Sequence, residues 1–355
     1  MTLRTSSAQQ VLDAGLAARS YSAVSAEVGR TSGPVWSYAA GGLSFESEAR
    51  AADRSTIFDL ASLTKVLATA TIALTLSERR RLDVETRVGA LVPEWTAADR
   101  LPVTLRDLLE HSSGLPAHRE YFHRLAGREA YASAIAAEPL DYPPRERSIY
   151  SDLGFIILGF ALERFHGQSL DRQFDAWRST VAIHEELAYT PPPQWRSRVA
   201  ATEDDPWRGR LLQGEVHDEN AASLGGVAAH AGLFGTAPAV GAAARWWLRL
   251  LEGRDDQATG VSARGARMFA ERSSVSGSSR ALGWDTMLPT SSCGTRMSTR
   301  AVGHTGFTGT SLWIDPEQDL YVVLLTNRVH PTRKNDTIQK LRRAFHDAVA
   351  TDLAP

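Results

Sequence analysis

A serine and a lysine three residues apart stand at the head of an apolar run: Asp59-Leu60-Ala61-Ser62-Leu63-Thr64-Lys65, followed by Val66 to Leu74. At the start of a helix this spacing puts a hydroxyl and an amine on one face of the first turn. A serine hydroxyl hardly ionises, so it needs a neighbour to take its proton before it can attack a carbonyl. Lys65 serves as that neighbour only where its surroundings make it neutral or let it pass charge onward. The same residues suit an ordinary capped helix, because Ser is a favoured N-cap and Lys a common helix residue. Other groups must therefore carry part of the case.

Two further stretches supply what acyl transfer needs. In Ser148-Ile149-Tyr150-Ser151-Asp152, a tyrosine stands just before the apolar helix containing Ile156-Ile157-Leu158-Gly159. A phenol at such a junction can reach into a site while the helix behind it packs, although a half-buried tyrosine with a wet tip is the plainer reading. Gly303-His304-Thr305-Gly306-Phe307-Thr308-Gly309-Thr310 is a strand edge broken by small residues. Glycines there let a ligand approach the backbone and leave N–H groups free to act as an oxyanion hole. A tight hairpin would use the same residues, and both readings can hold.

The elements that must position these groups follow from periodicity. Val11, Leu12, Leu16 and Ala17 predict an amphipathic helix over 8–18, Tyr21 to Val28 alternates like a strand, and Val35 to Ala40 returns after the Ser32-Gly33-Pro34 turn. Thr104 caps a helix over Leu105 to His111 that Gly114 ends. The segment from Gln168 to Trp207, rich in Trp, Pro and charge, reads as an ordered but irregular wall without a helix. Helix returns over Ala237 to Leu251. Short strands follow at Leu282-Gly283-Trp284, Val302-Gly303-His304, Ser311 to Ile314 and Leu320 to Leu325, and a last helix spans Asn335 to Ala350. The expected fold class is α+β: one antiparallel sheet flanked by terminal helices, with a mainly helical lobe inserted. In residue numbers this is a single domain over 1–355, with a sheet lobe from 1–61 and 270–355 and a helical lobe from 62–269.

Composition narrows the function. A net charge of -2 over 355 residues gives no electrostatic reason to expect nucleic acid or an anionic membrane as partner. The single cysteine, Cys293, excludes an internal disulfide and a cysteine-rich metal site. The stretch from Met1 to Ala17 lacks the pattern of an export signal, and no apolar run approaches the ~20 residues that span a bilayer. A cytoplasmic protein is the resulting expectation.

Together, the stretches around Ser62, Tyr150 and His304 resemble the serine β-lactamase and penicillin-binding protein superfamily, in its class C-like branch, which also contains D-aminopeptidases and esterases. The order is that of Ser-x-x-Lys, Tyr-x-Asn and Lys-Thr-Gly or His-x-Gly. Leu108-Leu109-Glu110-His111-Ser112-Ser113-Gly114-Leu115 is similar to a further element of that branch. Gly214 to Ala221 with Gly225-Gly226, and Leu325 to Pro331, resemble a subgroup of candidate D-alanyl-D-alanine carboxypeptidases and penicillin-binding proteins of unsettled substrate.

The resemblance implies Ser62 as the acylated nucleophile, Lys65 as its base partner, Tyr150 as the acid/base, and His304 in the place of the third-motif lysine. It implies the backbone N–H groups of Ser62 and Phe307 as the oxyanion hole, Thr305 and Gly306 as substrate-binding residues, and no cofactor. Two departures stand out. Asp152 replaces a usual asparagine, so a donor becomes an acceptor that would hold Lys65 as an ammonium. His304 replaces a permanent cation, which would weaken the hold on a substrate carboxylate unless Arg328 or Arg333 compensates. His217 and Asp218, in His217-Asp218-Glu219-Asn220, are expected to border the pocket in a hydrogen-bond network and not to hold a metal. The expected activity is a serine hydrolase acting on amide or ester bonds of D-amino-acid, cell-wall-type peptides, with β-lactam hydrolysis not its main activity. A small-ester carboxylesterase, a β-lactamase and a catalytically silent scaffold are the alternatives. The expected partner is a small-molecule or peptide substrate, and the oligomeric state stays open.

Overall fold

The strands expected near the two ends of the chain meet in one antiparallel sheet. The protein is described by a computed structural model that covers residues 7–80 and 82–353, so part of the Met1 to Ala17 stretch lies outside the described residues. In it β1 (Ala23–Arg30) and β2 (Gly33–Gly41) form a hairpin. β1 pairs on its other edge with β11 (Leu320–Thr326), and β10 (Ser311–Asp315), β9 (Val302–Thr305) and β8 (Asp285–Thr286) complete six strands. The unbroken apolar run of β11 has a simple cause. Tyr321, Val323 and Leu325 face one core and Leu320, Val322 and Leu324 another, so both faces of the strand are covered.

The helices α1 (Ser7–Ala17) and α10 (Ile338–Asp352) pack on each other and cover the second of those faces. On the first lies α8 (Ala237–Leu251), whose Val240, Ala244 and Trp247 are buried there.

Beyond the sheet the chain is mostly helical: α2 (Thr71–Arg80), α3 (Leu105–Leu109), α4 (Arg128–Ala137), α5 (Asp152–His166), α6 (Leu170–Thr180), α7 (Glu219–Ser223) and α9 (Ala263–Ala270). A small sheet of β3 (Phe58–Asp59), β7 (Leu233–Gly235) and β4 (Leu187–Tyr189) lies among them, with a short hairpin of β5 (Asp204–Asp205) and β6 (Arg210–Leu211). The Thr104 cap is present as a reciprocal pair, its side chain accepting from the Asp107 amide while Asp107 accepts from the Thr104 amide.

Three expectations need correction. The segment after Gln168 is not irregular throughout: α6 buries Leu170, Gln173, Phe174 and Trp177 at helical spacing, a stripe that the dense Trp and Pro of the longer window obscured. The strand expected at Leu282-Gly283-Trp284 begins instead at Asp285. Gly283 has a φ of 91°, and a side chain there would come within 2.8 Å of the Ala70 Cβ, so the chain turns beneath the serine segment before it pairs. Finally, Ser62 lies in a turn one residue before the helix, and Lys65–Ala70 is π-helical before α2 begins. The Thr71 hydroxyl donates to the Val66 carbonyl five residues back, at 3.0 Å. Wide turns of this kind cluster at functional sites. Among the described residues no helix is long and apolar enough to cross a membrane.

Candidate active site

Ser62 is presented by a strained turn that is fixed from three sides. Ala61, just before it, has a φ of 47°, a left-handed conformation that costs a non-glycine residue about 1–2 kcal/mol. Buried Asp59 holds that turn, accepting from the Ala61 amide at 2.8 Å and the His217 amide at 2.7 Å. Burial raises the Asp59 pKa although both amides oppose the shift. The loop between β9 and β10 is stapled to the same segment: the Thr308 hydroxyl donates to the Asp59 carbonyl at 2.7 Å and the Thr310 hydroxyl to the Leu60 carbonyl at 3.0 Å. The sequence could not show these bonds, which join residues about 250 positions apart.

The stapling brings the two expected oxyanion donors to one place. Neither the Ser62 nor the Phe307 amide N–H has an acceptor among the described residues, as an oxyanion hole requires. Gly306, beside Phe307, is packed without room for a side chain: a Cβ there would meet Thr310 Oγ1 at 2.0 Å and the Leu60 carbonyl at 2.6 Å. Gly306→Ala is therefore expected to displace the loop and lower kcat by ~10²-fold or more, the scale of losing one oxyanion donor. Steady-state kinetics beside a thermal melt would check it; unchanged kcat would separate the loop from the chemistry.

Lys65 is fully buried and its ammonium is saturated. It donates to Ser62 Oγ at 3.1 Å, to Asp152 Oδ1 at 2.8 Å and to the His230 carbonyl at 3.0 Å. Burial pulls its pKa down, but Asp152, followed by Tyr150, outweighs that pull and holds it above the ordinary lysine value. Lys65 is thus a cation at neutral pH, and Ser62 Oγ accepts a hydrogen bond from it at rest. Ser151 caps α5 through the Gly154 amide, so Asp152 opens that helix, where an anion is favoured.

Tyr150 lies against Lys65, whose Nζ is 4.7 Å from the ring centroid, and its phenol interacts with Lys65 and Ser62. Burial raises its pKa, Lys65 opposes and Asp152 adds to the rise, leaving a neutral phenol. The ring is wedged between His111, at 4.6 Å, and His304, at 5.8 Å. His111 accepts from the Ser151 amide through Nδ1. His304 donates through Nδ1 to the Thr305 carbonyl at 2.8 Å, which leaves Nε2 as an acceptor with no partner among the described residues. Burial, then Arg280 and Lys65, hold the His304 pKa well below the ordinary value. At this position the site offers a neutral acceptor instead of a cation.

The remaining expected residues divide. Ser62, Tyr150, Asp152, His217, Asp218, His304, Thr305, Gly306, Phe307 and Arg328 all line one cleft of about 560 Å³. The four residues of His217 to Asn220 send their side chains to different partners: His217 to Glu203 at 2.9 Å, Asp218 to His230 at 2.9 Å, Glu219 to Arg333 at 2.6 Å, and Asn220 to Tyr131 at 2.9 Å. Glu203, pulled down to about 2 by His217 and Arg333 against its burial, anchors the first of these. Arg333, engaged by Glu203 and Glu219, is not available to compensate for the lost lysine. Arg328 is largely committed to structure, donating to the carbonyls of Phe307, Arg333 and Asn335.

Three contributors went unassigned in the sequence. His230 supplies a carbonyl to Lys65 and clamps Asp218, yet its Ala-His-Ala context is unremarkable. Arg280, 5.1 Å above the Tyr150 ring, sits in a polar loop without periodicity. Arg342 was findable, because it interrupts the otherwise mostly apolar face of Ile338, Leu341, Phe345 and Val349 on α10.

A family model described as Beta-lactamase matches residues 8–345. A protein of Escherichia coli (strain K12) named "Putative D-alanyl-D-alanine carboxypeptidase" is 32% identical over 314 residues, spanning 79% of this chain and 70% of that one. An N-acetylmuramyl-L-alanine amidase of Bacillus subtilis (strain 168) is 32% identical over 307 residues, spanning 78% and 68%. Among solved structures, a class C beta lactamase from Rhodobacter sphaeroides superposes with a TM-score of 0.76 over 98% of this chain and 99% of its own. At 18% identity that likeness speaks to the fold alone.

Proposed function

Starting from the fact that this chain belongs to the beta-lactamase family and is a serine hydrolase, we propose that Ser62 is acylated by peptides ending in D-amino acids, of the cell-wall type. The observation that carries this reading is the meeting of Ser62 Oγ with Lys65 Nζ at 3.1 Å beside two unengaged backbone N–H groups. The names of the relatives, a D-alanyl-D-alanine carboxypeptidase and a muramyl-alanine amidase, support an amide of peptidoglycan origin over an unrelated ester.

The proton route follows from the resting charges. Lys65 is already an ammonium, so it can take the Ser62 proton only while giving one of its own to Asp152 Oδ1, 2.8 Å away. In that exchange the Ser62 oxygen bonds to the scissile carbonyl carbon, Lys65 keeps its charge, and Asp152 becomes the neutral acid. The oxyanion is met by the amides of Ser62 and Phe307. Tyr150, a neutral phenol beside Ser62, donates to the departing amine and is reprotonated through Lys65. Water then repeats the sequence from the other side and frees Ser62.

The test is intact-mass spectrometry with a fluorophosphonate, a penicillin and a D-Ala-D-Ala peptide, beside steady-state turnover. A fluorophosphonate adduct on Ser62 and multiple turnovers of the peptide are expected. In line with the names of the relatives, nitrocefin turnover is expected below that of the best peptide. Nitrocefin turnover matching the best substrate would reassign the protein as a β-lactamase. Ester turnover with no peptide cleavage would make it a carboxylesterase.

A further inference from the structure

The cleft that holds Ser62 is charged differently on its two sides. On the sheet side, besides Arg333 with its partners Glu203 and Glu219, stand three guanidinium groups, Arg280, Arg328 and Arg342, against the carboxylates Asp285 and Asp336. None of the three forms an ion pair among the described residues. Arg342 is the clearest case: it is 7% exposed, its Nη2 donates to the Gly306 and Thr310 carbonyls, and its buried Nε has no acceptor among the described residues. A guanidinium so far from water without a counter-charge is unfavourable unless a ligand brings one.

The helical side carries the opposite sign. Asp152 and Asp218 both line the cleft, with side chains 19% and 25% exposed. In each, Oδ1 is engaged: Asp152 accepts from Lys65, and Asp218 from the Ala221 amide and from His230 Nε2. The Oδ2 atom of each accepts no hydrogen bond among the described residues, and that of Asp152 faces His118 Nδ1 at 4.0 Å.

We propose that this polarity selects a zwitterion: a short D-amino-acid peptide whose acyl residue keeps a free α-ammonium, held by Asp152 and Asp218, with its carboxylate toward Arg280 and Arg342. The inference rests on the peptide-hydrolase reading of the same site and narrows it to substrates with an unblocked amine beside the scissile carbonyl. A carboxylate can only accept. An N-acylated residue offers those acceptors a single uncharged N–H, whereas an ammonium brings three donors and the opposite charge. A cleft of about 560 Å³ has room for a dipeptide.

The full-length protein would be assayed on matched pairs: D-Ala-D-Ala against N-acetyl-D-Ala-D-Ala, and the thiobenzyl esters of D-alanine and N-acetyl-D-alanine. The expected kcat/KM favours the free amine by ~10-fold or more within each pair. Asp218→Asn, which does not touch Lys65, is expected to shrink that ratio. A wild-type ratio at or below one overturns the proposal, as does a ratio that Asp218→Asn does not move. Each ratio is taken within one bond type, so a general loss of activity or stability cancels. Cleavage of the esters without the peptides would remove the peptide reading and leave the ammonium preference to be decided by the ester pair.

Discussion

Ser62→Ala is expected to abolish the fluorophosphonate adduct and to lower kcat/KM by ~10⁴-fold or more, with little change in the melting temperature. The size follows from the role: without the oxygen there is no acyl-enzyme, and only substrate binding and the oxyanion donors remain to accelerate the reaction. The small effect on stability follows from the setting. Ser62 is only partly buried, and Lys65 keeps Asp152 and the His230 carbonyl as acceptors when the hydroxyl is gone. The turn itself is held by Asp59 and by Thr308 and Thr310, none of which bonds to the serine side chain. Persistence of the adduct in Ser62→Ala, or a loss of less than ~10-fold, would place the nucleophile elsewhere.

Lys65→Met should be severe in both activity and stability. Removing the relay is expected to lower kcat by ~10²–10⁴-fold, the usual range for a general acid or base. Removing one partner of a buried ion pair costs about 3–5 kcal/mol in general, because the other charge is left in a poor medium. Asp152 is 19% exposed, so the lower end, about 3 kcal/mol, is expected here. The pH dependence has a definite sign. The folded-state pKa of Lys65 is raised above 10.5, so its contribution is complete below the unfolded value and is lost as pH rises through the folded one. The gap between wild type and Lys65→Met should thus stay level on this account from pH 7 to 9 and close in strong alkali. Urea unfolding at several pH values would show it. The double variant Lys65→Met/Asp152→Asn separates the two roles: much of the stability should return while activity does not. Return of activity with the stability would remove Lys65 from the chemistry.

Much of the site could be read without coordinates because each motif carries its own local physics. Ser62 and Lys65 lie within one turn of each other, the Ser151 cap sets Tyr150 and Asp152 at the mouth of α5, and the glycines around His304 loosen one strand edge. The helix of 237–251 and the strands at Val302, Ser311 and Leu320 were legible for the same reason: their periods are properties of neighbouring residues. The errors fell where a distant partner overrides local preference. Gly283 turns because Ala70 lies against it, and α6 forms because its Leu170, Phe174 and Trp177 stripe has a core to meet.

From the residues alone follow the nucleophile and its neighbours, and the exchange of a donor for an acceptor at Asp152. Which oxygen of Asp152 meets Lys65 and which faces the cleft was decided by the tertiary structure. So were the commitment of Arg333 to Glu203 and the isolation of Arg342 behind Gly306. The physical reason is range. Hydrophobic period, capping and side-chain chemistry act over a few residues, whereas a charge gains or lacks a partner only when segments hundreds of positions apart are packed together and water is excluded from between them.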